Sequence, residues 1–558
     1  MVGLMVMPYP MFIRNIISWN KVKTLKYFNL YKYCVNFIST PRRISIALGI
    51  SRFLKMFLGI VVLFLSVKYF GTTFERDSWV LSIAFWSIVI CFIFSPINEI
   101  FRTKYIFIKE QEGEEVAIRA VNSLMNLFNL SYLVIVVVVF FCASPLTFLL
   151  ASGFDDEMRD FLSIMIFSLI PFFVLQEQST ILIALLNTYE SYFYPEIVFL
   201  SSSVINIIAI VFLSNTLGIY ALVISATVNN LLMVVVLTCM LKKKVSSFRL
   251  ISKQSIKCAS PFVKLSLPMY LSAICSQVYL FVEKSLCTNF GEGMVSIFDY
   301  ARQIAGMPYV VFSTIVPIVM TPLLSLAFVN GDEEKFSDEM RRLVQLFLYL
   351  TCFFSVLMIT NSEQVSYVLF SSKSEVFMNV LAFLCIGILF MTITLVCGQA
   401  LIARNRVVDY VVAVISGNVV AISLCFILVY LPPYIDNIVH ISPRIENMAI
   451  SFLIGQFISS MIAFHKLKIR KKHLFLKNML IIFFSCVVAY GLVSLFQYMM
   501  SGTVLLSVDM FYTVLDLLIC ATLVFFILLS MLLVLDAEER KTVLGLCANF
   551  SKKCFKHS

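Results

Sequence analysis

This chain of 558 residues is too apolar to be a soluble globular protein. Apolar side chains make up 60% of it, charged residues make up 13%, and the mean hydropathy is +0.94, whereas soluble domains hold about 45–50% apolar residues. The net charge of +11 comes from basic residues that lie in short segments between apolar stretches. That distribution is typical of cytoplasmic loops in membrane proteins and argues against nucleic acid as a partner.

Fourteen apolar runs follow one another along the chain, each long enough to cross a hydrocarbon core of roughly 30 Å as a helix. They lie near 44–70, 78–100, 120–142, 160–185, 197–214, 218–241, 266–289, 295–328, 343–360, 375–397, 408–430, 445–465, 478–498 and 511–535. We therefore predict an all-α polytopic membrane protein with about fourteen transmembrane helices. Three prolines in the eighth run (Pro308, Pro317 and Pro322) are predicted to kink or end that helix.

A basic segment without acidic residues, 242–264, separates two blocks of six runs. Clustered cations oppose translocation, so this loop and both termini are predicted to be cytoplasmic. Two lobes in tandem are a common plan for transporters. The predicted divisions are a basic cytoplasmic lead-in, an N-lobe, a cytoplasmic linker, a C-lobe, two further helices and a cytoplasmic tail: 1–43, 44–241, 242–264, 265–465, 466–535 and 536–558.

A short repeated sequence pattern supports two related halves. The first run ends in Phe70-Gly71, followed by Asp77, and the seventh ends in Phe290-Gly291, followed by Asp299. Matching features at a similar offset are expected when two halves share a fold.

Ionisable residues inside apolar runs are costly and are therefore candidates for function. The cations are predicted to face a shared, water-accessible chamber and bind an anionic group such as a pyrophosphate; they are Arg52, Lys55, Lys284 and Arg302. The carboxylates are candidates for coupling to Na⁺ or H⁺, or for neutralising nearby cations; they are Glu177, Glu283 and Asp299.

Structural alternatives exist for several of these residues. The alternative for Arg52 and Lys55 is that they only snorkel or form structural ion pairs. Asp299 and Arg302 have the i,i+3 spacing of an intrahelical ion pair. Glu283 and Lys284 are adjacent and so require separate partners. The 15 cysteines form no CxxC pair and the four histidines lie in loops or the tail, so the sequence predicts neither a metal site nor a catalytic cluster. No loop exceeds about 25 residues, which leaves no room for an extramembrane catalytic domain.

Several segments together resemble the MurJ/MviN lipid II flippase family of the multidrug/oligosaccharidyl-lipid/polysaccharide exporter superfamily. The first begins at Leu186-Asn187-Thr188 and continues through Phe193 and Pro195 to Asn206. The other segments are Ser51-Arg52, Phe70-Gly71 with Asp77, and a pattern running from Ser276-Gln277 through Glu283-Lys284, Gly293, Ser296 and Tyr300-Ala301 to Pro308. The resemblance implies a fourteen-helix exporter fold with a central cationic cavity, and motif or gate roles for Asp77, Asn187, Pro195 and Asn206.

The chain departs from the family where further cavity arginines are expected. It has Leu58-Gly59 and Ala84-Phe85-Trp86 there, and Arg302-Gln303 where the family has Asp-Arg; Lys55 and Lys284 are candidate substitutes. The leading hypothesis is a bacterial inner-membrane flippase, not an enzyme, for a polyprenyl-pyrophosphate-linked saccharide: lipid II or an exopolysaccharide or O-antigen repeat unit. The expected partners are this lipid, the bilayer and other proteins of envelope polysaccharide synthesis. The alternatives are a cation-coupled small-molecule antiporter and a non-transporting scaffold for polysaccharide assembly.

Overall fold

The computed structural model describes residues 41–93, 95–141, 143–189, 193–241, 271–430, 444–467, 472–500, 519–528 and 530. These residues form helices joined by short turns, without a strand among them. The predicted linker 242–264, the tail 536–558 and nearly all of the lead-in lie outside the described residues. The first helix begins at Pro41, so it includes the last three residues of the predicted lead-in.

The N-terminal half, from residue 41 to residue 241, contains nine described helices. They are α1 (Pro41–Phe70), α2 (Phe74–Ile93), α3 (Ser95–Glu112), α4 (Glu114–Phe141), α5 (Ala143–Leu150), α6 (Asp156–Ser168), α7 (Ile170–Thr188), α8 (Phe193–Leu217) and α9 (Tyr220–Met240).

The C-terminal half, from residue 271 onward, also contains nine described helices. They are α10 (271–287), α11 (Met294–Val329), α12 (Glu333–Thr360), α13 (Ser362–Phe370), α14 (Glu375–Ala403), α15 (Val407–Tyr430), α16 (Glu446–Lys466), α17 (Lys472–Met500) and α18 (Ile519–Leu528). A 3₁₀ turn, Thr288–Phe290, follows α10.

Each of the fourteen predicted runs overlaps a helix, and nine helical stretches among the described residues are long and apolar enough to cross a membrane. Two runs are interrupted. The run 78–100 is divided between α2 and α3, and the run 160–185 is divided at Leu169, two residues before Pro171. The eighth run is one helix of 36 residues that continues through its three prolines, so they do not end it. Helices in membranes tolerate proline because neighbouring groups satisfy the freed carbonyls.

Close packing in the C-terminal half depends on small residues. Helix α14 is largely buried and packs on α11, α12 and α16. Where α15 crosses α16, a Cβ added to Gly417 would lie 2.6 Å from the backbone oxygen of Gly455, and one added to Gly455 would lie 2.7 Å from that of Gly417. Small residues at such crossings let two backbones approach closely, which increases van der Waals contact between helices in a membrane.

Two apolar clusters show where the halves meet. The larger one contains residues of both halves, from Leu63 on α1 to Phe452 on α16. The smaller one runs from Phe312 to Leu528 and belongs to the C-terminal half alone. The helix termini at the contact are the ends of α1 and α10 and the starts of α2 and α11. The two halves are therefore closed on each other at this end of the bundle.

Candidate functional site and the interface between the halves

Asp77, near the start of α2, joins the two halves. Its fully buried carboxylate accepts hydrogen bonds from the backbone nitrogens of Gly293 and Ser296, both at 2.7 Å, and from the Ser296 hydroxyl. The first N–H groups of a helix have no partner within that helix. Asp77 satisfies those at the start of α11, so a residue of the N-terminal half caps a helix of the C-terminal half.

A second cap runs in the opposite direction. Oε1 of Glu292, beside Gly293, accepts a hydrogen bond from the backbone nitrogen of Phe74, the first residue of α2, at 3.1 Å. Gly293 has φ +80°, and a Cβ there would lie 2.4 Å from the backbone oxygen of Thr72. The α1–α2 turn and the α10–α11 turn therefore interlock through reciprocal caps and a close backbone approach. Gly71 and Gly291, the matching glycines of the repeated pattern, both have positive φ in these turns.

Arg76 is buried in this contact, with 2% of its surface exposed. Its Nε donates to the Ser66 hydroxyl at 3.1 Å and to the Tyr300 hydroxyl at 3.2 Å, and Nη2 lies 3.3 Å from Oδ2 of Asp299. Arg76 was not predicted from the sequence to be buried. It lies within α2, and the physical reason for its burial is the acid and hydroxyl groups that the other half presents.

Asp299 is the acid that receives most of these contacts. Besides Arg76, Lys284 Nζ binds its Oδ1 at 2.8 Å and Gln303 Nε2 binds its Oδ2 at 2.7 Å. The predicted alternative of an Asp299–Arg302 intrahelical pair is therefore wrong. Cations on α2 and α10 reach this carboxylate, while Arg302 turns to a different acid.

That acid is Glu283, which is fully buried on α10. Its Oε1 accepts hydrogen bonds from Arg302 and from the Tyr279 hydroxyl. The guanidinium of Arg302 also lies over the ring of Phe452, 4.4 Å from its centroid. The prediction that the adjacent Glu283 and Lys284 need separate partners is confirmed, since one binds Arg302 and the other binds Asp299.

Lys55 lies apart from these groups, eleven residues before Ser66 and hence roughly 16 Å away along α1. Its Nζ is 2.6 Å from Oε2 of Glu196 on α8, which also accepts from the Ser51 hydroxyl at 3.0 Å. The ring of Phe199 lies 4.0 Å from the same nitrogen. Arg52 belongs to α1, but its side chain lies outside the described part of the structure.

The prediction that the cations share one water-accessible chamber stays a prediction, and in this conformation the described cations do not all lie together. Lys55, Lys284 and Arg302 are each paired with an acid, and Lys55 is distant from the other two. The physical reason is that a charge without a counter-ion is costly in a low-dielectric interior. Glu196, in the first turn of α8, and Glu292, beside Gly291, were not predicted, because nothing in the sequence indicates their partners.

The remaining predicted residues lie in the N-terminal half. Glu177 is buried on α7, where the neighbouring Gln178 donates to Asn129 of α4 at 3.0 Å. Asn187 is half-buried at the end of the same helix, Pro195 is buried in the first turn of α8, and Asn206 is half-buried farther along α8. They lie on α7 and α8, which pack on other helices of the N-terminal half.

At the opposite end of the C-terminal half, arginines bind the end of α16. Arg404 Nη1 donates to the backbone oxygen of Leu467, and Arg406 Nη1 donates to that of Lys466, each at 2.8 Å. Arg404 also pairs with Glu333 at the start of α12. The two ends of this half therefore differ, because basic residues gather at one and buried acids at the other.

Comparison with known proteins is consistent with this architecture. A curated lipid II flippase MurJ of Burkholderia cenocepacia is 27% identical over 238 residues, which is 41% of this chain and 46% of the relative, so the match spans about half the length of that relative. A solved structure titled lipid II flippase MurJ, inward closed conformation, has a TM-score of 0.68 at 20% identity and covers 88% of this chain and 98% of its own. An inward-facing multidrug resistance MATE family transporter of the MOP superfamily has a TM-score of 0.57 at 15% identity and covers 74% of this chain and 94% of its own. Residues 66–509 match the family described as lipid II flippase MurJ, so this chain belongs to that family.

Proposed function

We propose that this protein is a flippase that moves a polyprenyl-pyrophosphate-linked saccharide across the bacterial inner membrane by alternating access. No bond is broken in this process, so no catalytic group is required. The end of the bundle where Asp77 meets α11 is proposed to face the periplasm, because Arg404, Arg406 and Lys466 gather at the opposite end of the C-terminal half. The family match supports a lipid-linked substrate.

The observation that carries the proposal is the reciprocal capping between α2 and α11. Asp77 and Glu292 each satisfy a helix start that belongs to the other half. When the halves separate at this end, both helix starts become free to bind water. A polar contact of this kind can open and close, because water replaces each hydrogen bond that is lost.

The pyrophosphate is proposed to bind Lys55, which is paired with Glu196 in this conformation. Of the predicted cations that the structure describes, Lys55 is the most accessible, with 27% of its side chain exposed, against 15% for Lys284 and 17% for Arg302. A pyrophosphate carries more negative charge than one carboxylate, so it competes with Glu196 for Lys55. Arg52, three residues away on α1, is proposed to join Lys55 in binding the substrate.

The saccharide is proposed to be that of lipid II or of an exopolysaccharide or O-antigen repeat unit. The family match favours lipid II. The departures of this chain from the family's arginine pattern, Leu58-Gly59 and Arg302-Gln303, favour a related lipid-linked sugar. In either case, enzymes that assemble the lipid-linked sugar are the proposed partners.

The scaffold hypothesis has one observation in its favour, because it requires that the buried charges pair, and those of Lys55, Lys284 and Arg302 do. The same pairing is expected of a transporter without its substrate, since a cation in a low-dielectric interior needs a counter-ion. The two functions therefore differ in movement of the substrate, which can be measured.

The deciding experiment uses the purified full-length protein in proteoliposomes that contain a fluorescently labelled lipid-linked saccharide. Lipid II and an undecaprenyl-pyrophosphate-linked repeat unit are tested separately, with bleaching of the outer leaflet by a membrane-impermeant reductant as the readout. We expect one lipid to exchange between leaflets and the Asp77→Asn variant to slow that exchange. A wild-type protein that leaves both lipids in their original leaflets would contradict the flippase proposal and favour the scaffold.

A further inference from the structure

The sequence predicts Glu283 as a candidate for binding a coupling ion. In the structure, the guanidinium of Arg302 is paired with its carboxylate. The carboxylate is fully buried, and its Oε1 accepts from Arg302 and Tyr279. Oε2 is buried as well and accepts no hydrogen bond from the described residues. The polar contacts of this carboxylate are thus made through one oxygen, to one guanidinium and one hydroxyl.

Arg302 is held against Glu283 by more than its charge. Its guanidinium lies 4.4 Å from the ring centroid of Phe452 on α16 and 5.5 Å from that of Phe298 on α11, and Nη2 donates to the Tyr279 hydroxyl at 3.3 Å. A planar guanidinium stacks on aromatic faces and is always charged. Three helices, α10, α11 and α16, therefore fix this cation in position.

The chemistry of the cluster is that of a monovalent cation site whose cation is tethered. The buried carboxylate of Glu283 beside the phenol oxygen of Tyr279 would attract a small cation such as Na⁺. The guanidinium of Arg302 is attached to the same chain, so its effective concentration at this carboxylate is higher than that of a free ion. The carboxylate of Asp299 is neutralised in a similar way, by ion pairs with Lys284 and Arg76. Both carboxylates of this region therefore carry built-in counter-ions.

We propose that Arg302 is the permanent counter-ion of Glu283, so that this site exchanges no Na⁺ with the solvent. This inference deepens the proposed function and rests on it, because it implies that flipping is not coupled to Na⁺ binding at Glu283. Whether Glu283 binds Na⁺ can be measured without knowing the substrate.

The first test measures thermal unfolding of the purified full-length protein in detergent, with NaCl replaced stepwise by choline chloride at constant ionic strength. A bound ion raises the unfolding temperature by mass action. We expect the unfolding temperature of the wild-type protein to be the same in both salts. A rise with Na⁺ that Glu283→Gln removes would overturn the proposal.

The second test compares Arg302→Gln, Glu283→Gln and the double variant. Arg302→Gln leaves a buried carboxylate uncompensated and is expected to lower the unfolding temperature by several degrees, whereas the double variant removes both charges and is expected to recover much of that loss. Arg159→Gln, which removes the cation from a pair with the fully exposed Asp156, is the matched control and is expected to have little effect. A double variant no more stable than Arg302→Gln would overturn the pairing.

The third test applies the choline replacement to the flipping assay. We expect the rate in proteoliposomes to be unchanged when Na⁺ is removed from both sides. A rate that falls without Na⁺ and becomes independent of it in Glu283→Gln would overturn the proposal, while the proposed flippase function would stand. Failure of the flippase function is recognised separately, as absence of flipping in both salts.

Discussion

The interface between the halves and the Lys55–Glu196 pair are both built from charged groups, but they differ in burial. Asp77 is fully buried and Arg76 is 2% exposed, whereas the side chains of Lys55 and Glu196 are 27% and 15% exposed. A pair deep in the protein has lost its water and is costly to separate, while a partly exposed pair exchanges partners at little cost.

This difference assigns different tasks to the two regions. Asp77 and Arg76 define which end of the bundle is closed, because they satisfy a helix start and a carboxylate of the opposite half. The partly exposed pair on α1 and α8 is suited to release Lys55 to an anionic ligand. The following variants test that comparison, from the largest expected effect to the smallest.

The Gly293→Ala variant is expected to have the largest effect. A residue with a side chain at φ +80° costs about 1–2 kcal/mol, and its Cβ would lie 2.4 Å from the Thr72 oxygen. We expect the halves to separate at this end and flipping to fall by on the order of tenfold or more. Hydrogen exchange of the first turns of α2 and α11 measures the separation. The control is Gly306→Ala in the same helix, where a Cβ meets nothing within 4 Å; equal exchange in both variants would contradict the role of the close approach.

The Asp77→Asn variant is expected to have the next largest effect, because it weakens the same contact without the clash that a Cβ on Gly293 adds to the backbone strain. It replaces a charged acceptor of three hydrogen bonds with a neutral one, which costs about 1.5–3 kcal/mol. We expect faster hydrogen exchange at Gly293 and Ser296. The matched control is Asp155→Asn, because Asp155 caps α6 within its own half by accepting from Met158 at 2.9 Å. If both variants left the α11 start protected, Asp77 would not hold the halves together.

The variants Lys55→Gln and Glu196→Gln are expected to change stability by less than about 1 kcal/mol, because the pair is partly exposed. Their effects on substrate handling should be opposite. Lys55→Gln removes a cation and should weaken binding of the lipid-linked pyrophosphate, while Glu196→Gln frees that cation and should strengthen it. Binding of the labelled lipid to protein in detergent measures both, and a change in the same direction would contradict competition for Lys55.

The smallest effect is expected at a surface pair. Lys373 and Glu363 are 3.2 Å apart with 42% and 45% of their side chains exposed. Glu363→Gln should change stability by no more than about 0.5 kcal/mol and leave flipping unchanged. Thermal unfolding and the flipping assay measure this. A loss as large as that of Asp77→Asn would mean that burial does not separate the two kinds of pair.

Much of the helical architecture could be predicted from the sequence, because apolar runs of sufficient length have few structures available in a membrane. The repeated pattern that contains Gly71 and Gly291 indicated two related turns, and both glycines have positive φ. The adjacency of Glu283 and Lys284 required different partners, since neighbouring residues on a helix point in different directions. These are local properties, and local properties are readable in a sequence.

The partners of the charged residues were decided by the tertiary structure alone. Arg76 is buried against Tyr300 and Asp299, more than 220 residues away in the sequence. Glu196 and Glu292 carried no signal of their contacts with Lys55 and Phe74. Helix formation depends on nearby residues, whereas ion pairs depend on which helices come together, and only the packed bundle decides that.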